Sequence, residues 1–470
     1  MYTTFSLILF IALESVAIYF AFRAVQNART PQGSVAWVVF LLAAPYLGIL
    51  SYLFLGHKKF AGYVVKRRET ERVVEGIEAS RAIHAAVGDA DDVGYATFER
   101  LAAAPVVSGN AMDLLIDGEE TFDAIFEAID AAETYVLLQF YIVRDDALGG
   151  TLRDHLLRAR SRGVMVRFLY DSIGSNQLSR GYIEQLTHAG VEILDTNALR
   201  GPTNRLQVNF RNHRKTVIVD GRVGFTGGLN VGDEYMGRDP DLGHWRDTHV
   251  HLRGPIVAQL QLVFCEDWHW ATEQSLLDDL FWQAPRADEN MDALLLAPGP
   301  ADEMETGNLY FCAAIRAARK RIWITSPYFV PDADIGSALK IAALQGIDVR
   351  ILVPGKADHW STYLAAFDYF DDLRDAGVKF FVYDNGFIHQ KVLLVDNSIA
   401  SVGTINLDNR SCRLNFEETA MFFDHRAAEN VATMLEADFA QSYLLEKSLG
   451  DHPLWIRLGA PIARLFAPLL

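Results

Sequence analysis

Two long apolar stretches open the chain, residues 3–22 and 34–55, of 20 and 22 residues. A helix needs roughly 20 residues to cross the hydrocarbon core of a bilayer, so this pattern predicts two antiparallel transmembrane helices. The connector holds Pro31 and Gly33, which suit a turn between spans. Trp37 and Tyr52, toward the two ends of the second stretch, fit interfacial anchors. A cleaved signal peptide is the competing expectation. The absence of Lys and Arg before Leu7 and the second apolar run argue against it. His57, Lys58, Lys59, Lys66, Arg67 and Arg68 follow the second stretch, against Arg23 and Arg29 in the connector. The positive-inside rule then predicts that both termini and everything after residue 56 face the cytoplasm. Glu14 interrupts the first stretch, where a charge costs about 2.5–3.5 kcal/mol unless it is protonated or turned toward the second span.

From about residue 107 the pattern changes to short apolar runs alternating with amphipathic ones. Residues 135–143 and 164–171 read as buried strands around a helix at 152–162. The same order returns as a strand at 321–330, a helix at 335–345 and a strand at 349–353. Gly163 and Gly346 mark the two helix ends. The alternation predicts an α/β fold of two tandem repeats with mixed sheets flanked by helices. The expected organisation is a transmembrane hairpin at 1–56, a linker at 57–106, a first repeat at 107–285, and a second repeat at 286–470 with an apolar tail.

The repeat is sharpest at two segments. His213, Lys215 and Asp220 form HxKx4D, and so do His389, Lys391 and Asp396. In each copy an Asn, Asn230 or Asn406, lies seventeen residues after the His. A pair of small residues shortly precedes it: Gly227 and Gly228, or Gly403 and Thr404. Strand alternation puts each His and Lys on one face, where both can act on one phosphate. Asp220-Gly221 and Asp396-Asn397 suit hairpin turns that bring the Asn back beside them. Chance can supply one such motif in a long chain, but not readily two with the same downstream spacing.

Composition narrows the chemistry. Hydrophobic residues make up 50% and charged residues 22%, so the chain is not disordered. A net charge of −17 without a Lys/Arg-rich tract in the catalytic portion disfavours a nucleic-acid partner. Cys265, Cys312 and Cys412 are widely spaced and odd in number, which predicts reduced thiols and neither disulfides nor a zinc site.

The duplicated motif resembles the signature of the phospholipase D superfamily. Most of the chain is similar to bacterial cardiolipin synthases. The matching stretches include 212–215, 227–235, 245–249, 326–332, 403–408, Arg410-Ser411 and 414–417, while Gln390 and Asn409 depart from the pattern. The resemblance implies a covalent phosphohistidine route without a cofactor or metal. In it His213 is the nucleophile and His389 the acid and base, the reverse order staying open because the motifs are nearly symmetric. Lys215 and Lys391 would bind phosphate oxygens, helped by Asn230, Asn406, Gly228 and Thr404. Each His needs a carboxylate to fix its tautomer. Glu417, 28 residues after His389, is expected to back that residue, and Asp247 to back His213. Asp220 and Asp396 belong to the motif but read as structural.

Other residues carry weaker signals. His244, His249 and His251 read as pairing residues rather than metal ligands. Tyr141 and Tyr328 fit either pocket walls or core, and Arg410 and Ser411 fit secondary phosphate contacts. The tail from residue 453 fits either a docked helix or one lying on lipid. The expected function is transfer of a phosphatidyl group between two phosphatidylglycerol molecules, giving cardiolipin and glycerol at the bacterial inner membrane. Another phosphatidyltransferase, a phospholipase D hydrolase, a nuclease on the same site and an inactive scaffold are the alternatives, and oligomeric state stays open.

Overall fold

The computed structural model describes residues 2–27, 31–56, 93–196 and 209–470. The basic cluster from His57 to Arg68 and most of the expected linker lie outside the described residues. The described residues divide into two compact units, one holding residues 2–56 and the other most of both repeats.

In the first unit, α1 (Tyr2–Asn27) is a single helix in which residues 5–26 are long and apolar enough to cross a membrane. Most of its large side chains, Phe5, Leu9 and Phe22 among them, are exposed. The second apolar stretch is not one span. It breaks at Ala44 into α2 (Pro31–Ala43) and α3 (Pro45–Leu55), because Pro45 has no N–H for the helical ladder. The two pieces fold back on each other. Trp37 and Tyr52, expected at opposite ends of a span, meet edge to face at 5.1 Å between ring centroids. A Cβ on Gly48 would stand 2.9 Å from Leu41 Cα, so only glycine allows this approach. Helices of 13 and 11 residues reach about 20 Å and 17 Å, short of a core roughly 30 Å thick.

The second unit is built on one fifteen-stranded sheet among the described residues. The first repeat gives β1 (Val107–Ile116), β2 (Tyr135–Phe140), β3 (Met165–Tyr170), β4 (Glu192–Asp195), β5 (Thr216–Val219), β6 (Val223–Gly227) and β7 (Thr248–Arg253). The second gives β8 (Met291–Leu296), β9 (Arg321–Thr325), β10 (Asp348–Pro354), β11 (Lys379–Tyr383), β12 (Val392–Val395), β13 (Ile399–Gly403), β14 (Thr419–Phe422) and β15 (Ser442–Leu444). The order β15-β11-β10-β9-β12-β13-β14-β8-β1-β7-β6-β5-β2-β3-β4 has the second repeat mirroring the first, with β15 added at its edge. The expected helices at 152–162 and 335–345 begin earlier, at Ala147 and Ala333, because Asp146 and Asp332 cap them.

The repeats join at β1. Its first residues pair with β8 (Val107 with Ala293) and its remainder with β7 (Ala111 with Arg253 through Ile116 with Thr248). Asn110 pins this seam, donating to Met291 O at 3.0 Å and accepting from Ile256 N at 2.8 Å. One face of the joined sheet is covered by a helix from each repeat, α4 (Ile256–Thr272) and α5 (His425–Ala440). Together they close a single core in which Leu137, Phe264 and Trp268 share a cluster with Leu394, Ala400 and Leu435. The two repeats therefore share one packed core.

The motif aspartates are architectural. Asp220 and Asp396 lie beyond the far ends of β5 and β12 from the histidines and take positive φ, 53° and 51°, to start the hairpin turns. Asp220 accepts from the N–H groups of Glu133, Thr134 and Tyr135, each at 2.8 Å. Asp396 accepts from those of Arg319, Lys320 and Arg321. They are not catalytic groups; each ties its hairpin to the start of the neighbouring strand. Replacing either with Ala should cost about 1–3 kcal/mol. Thermal melting should show the lower midpoint, with kcat of the folded enzyme retained; lost kcat at an unchanged midpoint would contradict this role.

Candidate active site

The alternation of β5 and β12 begins just after each motif Lys, so His213 and His389 stand at the strand entrances, where the two repeats meet. His213 N donates to Phe416 O at 2.9 Å, and His389 N donates to Arg246 O at 2.8 Å. Each contact aligns one repeat's histidine with the residue just before the other repeat's carboxylate. Glu417 Oε2 therefore lies 2.8 Å from His213 Nδ1, and Asp247 Oδ2 lies 2.7 Å from His389 Nδ1. This reverses the expected pairing. Both carboxylates are fully buried and cross between repeats, so neither repeat holds a complete site.

Gly228 leaves room for a carboxylate, and Gly227 leaves room for the backbone that follows it. A Cβ on Gly228 would fall 1.9 Å from Asp247 Oδ1, and one on Gly227 would fall 2.5 Å from Thr248 O. Thr404 takes the place of Gly228 in the second repeat, and its hydroxyl donates to Glu417. Gly228 and Thr404 thus support the histidine-backing acids rather than presenting groups to a phosphate. Asn415 Nδ2 also donates to Glu417, at 3.1 Å, and Trp245 Nε1 donates to Asp247 at 3.2 Å. Sequence reasoning missed both. Their signal was position, two residues before each acid.

The lysines complete the centre. Lys215 Nζ donates to His213 O at 2.8 Å, and Lys391 Nζ lies 3.0 Å from His389 Nε2. Asn230 is anchored, accepting from Ile142 N and donating to Tyr235 at 3.1 Å each. Asn406 is buried with no hydrogen-bond partner for its Oδ1. Tyr141 lies edge-on to His213 at 5.1 Å, and Tyr328 edge-on to His389 at 6.5 Å, so both are pocket walls. Behind the histidines, Arg214 pairs with Asp267 of α4 at 2.7 Å, and Arg246 pairs with Asp438 of α5 at 2.7 Å. Gln390 stands where the first repeat has Arg214, and its Nε2 donates to the same Asp438 at 2.7 Å. Asn409 donates to Val330 O at 3.1 Å.

Of the remaining residues, His244 and His251 pair with Asp117 and Asp113, and His249 is buried against Leu229 N; they do not converge. Arg410 Nη1 donates to Leu469 O at 3.2 Å, anchoring the C-terminus, while Ser411 Oγ is buried without a partner.

The electrostatics follow from burial. Burial pushes both histidines down to about 4, against the pull of their carboxylates, so each is neutral at physiological pH. Burial would raise the Asp247 and Glu417 pKa values, but the facing histidines and lysines outweigh it and hold both acids ionised. Burial brings Lys215 down to about 7, with Lys391 adding to the shift, and Lys391 to about 8. Two partly protonated lysines then face two carboxylates around neutral imidazoles. Such a centre can take in one phosphate monoanion, whose charge would favour protonating one imidazole.

An α/β body of two mirrored repeats, with one His-Lys pair from each at the joint, defines a phospholipase D-like centre for phosphodiester chemistry. The family model described as "Cardiolipin synthase, PLD-like domain" matches residues 125–268 and 311–441, and "Phospholipase_D-nuclease N-terminal" matches 15–57. Cardiolipin synthase A of Pseudomonas aeruginosa (strain LESB58) is 45% identical, covering 100% of this chain and 97% of that protein. The protein of the same name from Pseudomonas putida (strain GB-1) is 44% identical, with 97% of each covered. The chain belongs to the cardiolipin synthase, PLD-like family. The fold is shared with phosphatidylserine synthase from Haemophilus influenzae, at 14% identity and TM-score 0.61, covering 80% of this chain and 100% of that one.

Two predictions test this geometry. Glu417→Gln should move the ring-nitrogen NMR signal of His213 and leave that of His389, with kcat lower by about 10²–10⁴-fold; a shift of His389 instead would restore the within-repeat pairing. The lysine pKa values are depressed in the folded site, so the ammonium charges persist on the acid side and are lost as pH rises through about 7 to about 8. kcat/KM should fall over that range, and Lys215→Arg, which keeps its charge, should move the decline to higher pH.

Proposed function

We propose that the protein transfers a phosphatidyl group from one phosphatidylglycerol to the free hydroxyl of a second, giving cardiolipin and glycerol. The observation that carries this reading is the pair of histidines, each oriented by a carboxylate of the opposite repeat and flanked by a lysine. His213 Nε2 attacks phosphorus with Nδ1–H held by Glu417. The bond from phosphorus to the headgroup glycerol oxygen breaks, and His389, protonated once the phosphate is bound, gives that oxygen its proton. Glycerol leaves a phosphatidyl-histidine. His389 then takes the proton of the second lipid's hydroxyl, whose oxygen attacks phosphorus and breaks the P–N bond. Lys215 and Lys391 offset the charge gathering on the phosphate oxygens.

The membrane arrangement is part of the proposal. With α2 and α3 folded back as a re-entrant pair, α1 is the one crossing among the described helices. Arg23, Arg29 and the Lys58–Arg68 cluster then fall on one side, the cytoplasmic side by the positive-inside rule, and the N-terminus on the other. The tail helix α6 (Leu454–Arg464) supports contact with lipid: Ile456, Ala460 and Ala463 are buried, while Leu454, Trp455, Leu458 and Ile462 are exposed.

The purified protein with phosphatidylglycerol and a chelator should yield equimolar cardiolipin and glycerol. Phosphatidic acid in place of cardiolipin would make water the acceptor, and no product would overturn the donor. A tag at the N-terminus should be reachable from outside intact cells and one at the C-terminus should not; protection of both would restore the two-span hairpin.

A further inference from the structure

A pocket, partly open to solvent, lies beside the active site in the second repeat. Its floor is the C-terminal end of β10, Val353 and Pro354, where open α/β sheets place their ligands. Its walls include Ala366 and Phe367, from the helix Trp360–Arg374, and Leu445 opposite. Pro327 and Phe329 also line it, and they bracket Tyr328, whose ring stands edge-on to His389. The cavity and the reacting centre thus share one short stretch of chain.

The lining is mostly apolar, with the rings of Tyr363 and Tyr443 and the imidazole of His452 among its aliphatic and Phe side chains. The Thr362 hydroxyl is engaged with His359 O at 3.0 Å, and the Tyr328 hydroxyl is engaged with Asp358. The buried His452 Nε2 has no hydrogen-bond partner, too little to recognise a sugar or a nucleotide. Outside, Trp360 and Trp455 are exposed and pack at 5.9 Å, extending the apolar character from helix Trp360–Arg374 onto α6.

We infer that this cavity holds one acyl chain of the lipid whose phosphate is processed at His389. The inference rests on the phosphatidyl-transfer reading and adds a chain-length selector to it. An unbranched hydrocarbon fits walls that are mostly apolar, and its headgroup would cross Tyr328 to reach the histidines. Each methylene buried there is worth about a fourfold gain in affinity, about 0.8 kcal/mol.

The test compares dihexanoyl and dimyristoyl phosphatidylglycerol at fixed surface fraction in mixed micelles, with wild type, Ala366→Phe and Phe367→Ala. Wild type should favour the long chain. Ala366→Phe fills the cavity and should raise KM for the dimyristoyl lipid by about tenfold or more while sparing the dihexanoyl lipid, since several methylenes lose their site. Phe367→Ala enlarges it and should shift the preference toward longer chains. Equal losses on both lipids, or an unchanged preference in both variants, would overturn the inference. Binding of the fluorescent fatty acid parinaric acid is measured alongside. If wild type makes no cardiolipin but binds the probe and Ala366→Phe does not, the function reading fails and the cavity stands; if both bind it equally, the cavity assignment fails.

Discussion

His213 is held by Glu417 and His389 by Asp247, and each carboxylate comes from the other repeat. Removing one acid leaves its histidine without the partner that fixes which ring nitrogen carries the proton. Because the acids are fully buried, removing a facing histidine or lysine would leave a buried charge short of its partner. The seam between β1 and β8, the shared core under α4 and α5, and the backbone bonds from His213 to Phe416 and from His389 to Arg246 all serve that crossing. A duplicated fold here makes one site, with one complete set of groups.

The same burial sets the chemistry. Water would leave the histidines near their ordinary pKa and the lysines fully charged. The enclosed joint instead makes the imidazoles neutral and the lysines readily titrated. A neutral imidazole has the lone pair a nucleophile needs. The proton that its partner requires as an acid becomes favourable when the phosphate brings its charge. Glu418, buried behind the centre with its pKa raised by burial, accepts from the hydroxyls of Thr216 and Thr226 and holds β5 and β6 in register from the opposite repeat.

Much of this was legible in the sequence for physical reasons. The HxKx4D spacing has a strand's period, and the turn residues Asp220-Gly221 and Asp396-Asn397 match the observed hairpins. What was not legible is the partner of each acid. Glu417 is 204 positions from His213 and only 28 from His389, so proximity along the chain suggests the wrong pair. Only the pseudo-twofold joint reverses it. Gly228 and Thr404 misled similarly: small residues near a phosphate motif suggest a phosphate cradle, whereas one leaves room for Asp247 and the other donates to Glu417. The broken second apolar stretch did carry a signal, Pro45 and Gly48 within its middle, but hydropathy alone runs through both.

The central claim is a covalent relay across the joint, with phosphorus passing through His213. Phosphatidylglycerol labelled in its phosphate, mixed briefly with enzyme and quenched in alkali, where phosphoramidates survive, would leave label on the protein, to be located by peptide mass. The account predicts label on His213, accumulating when His389→Ala slows its onward transfer from a donor with a good leaving group. Label on His389 in the wild-type enzyme, or turnover with no labelled histidine, would contradict it.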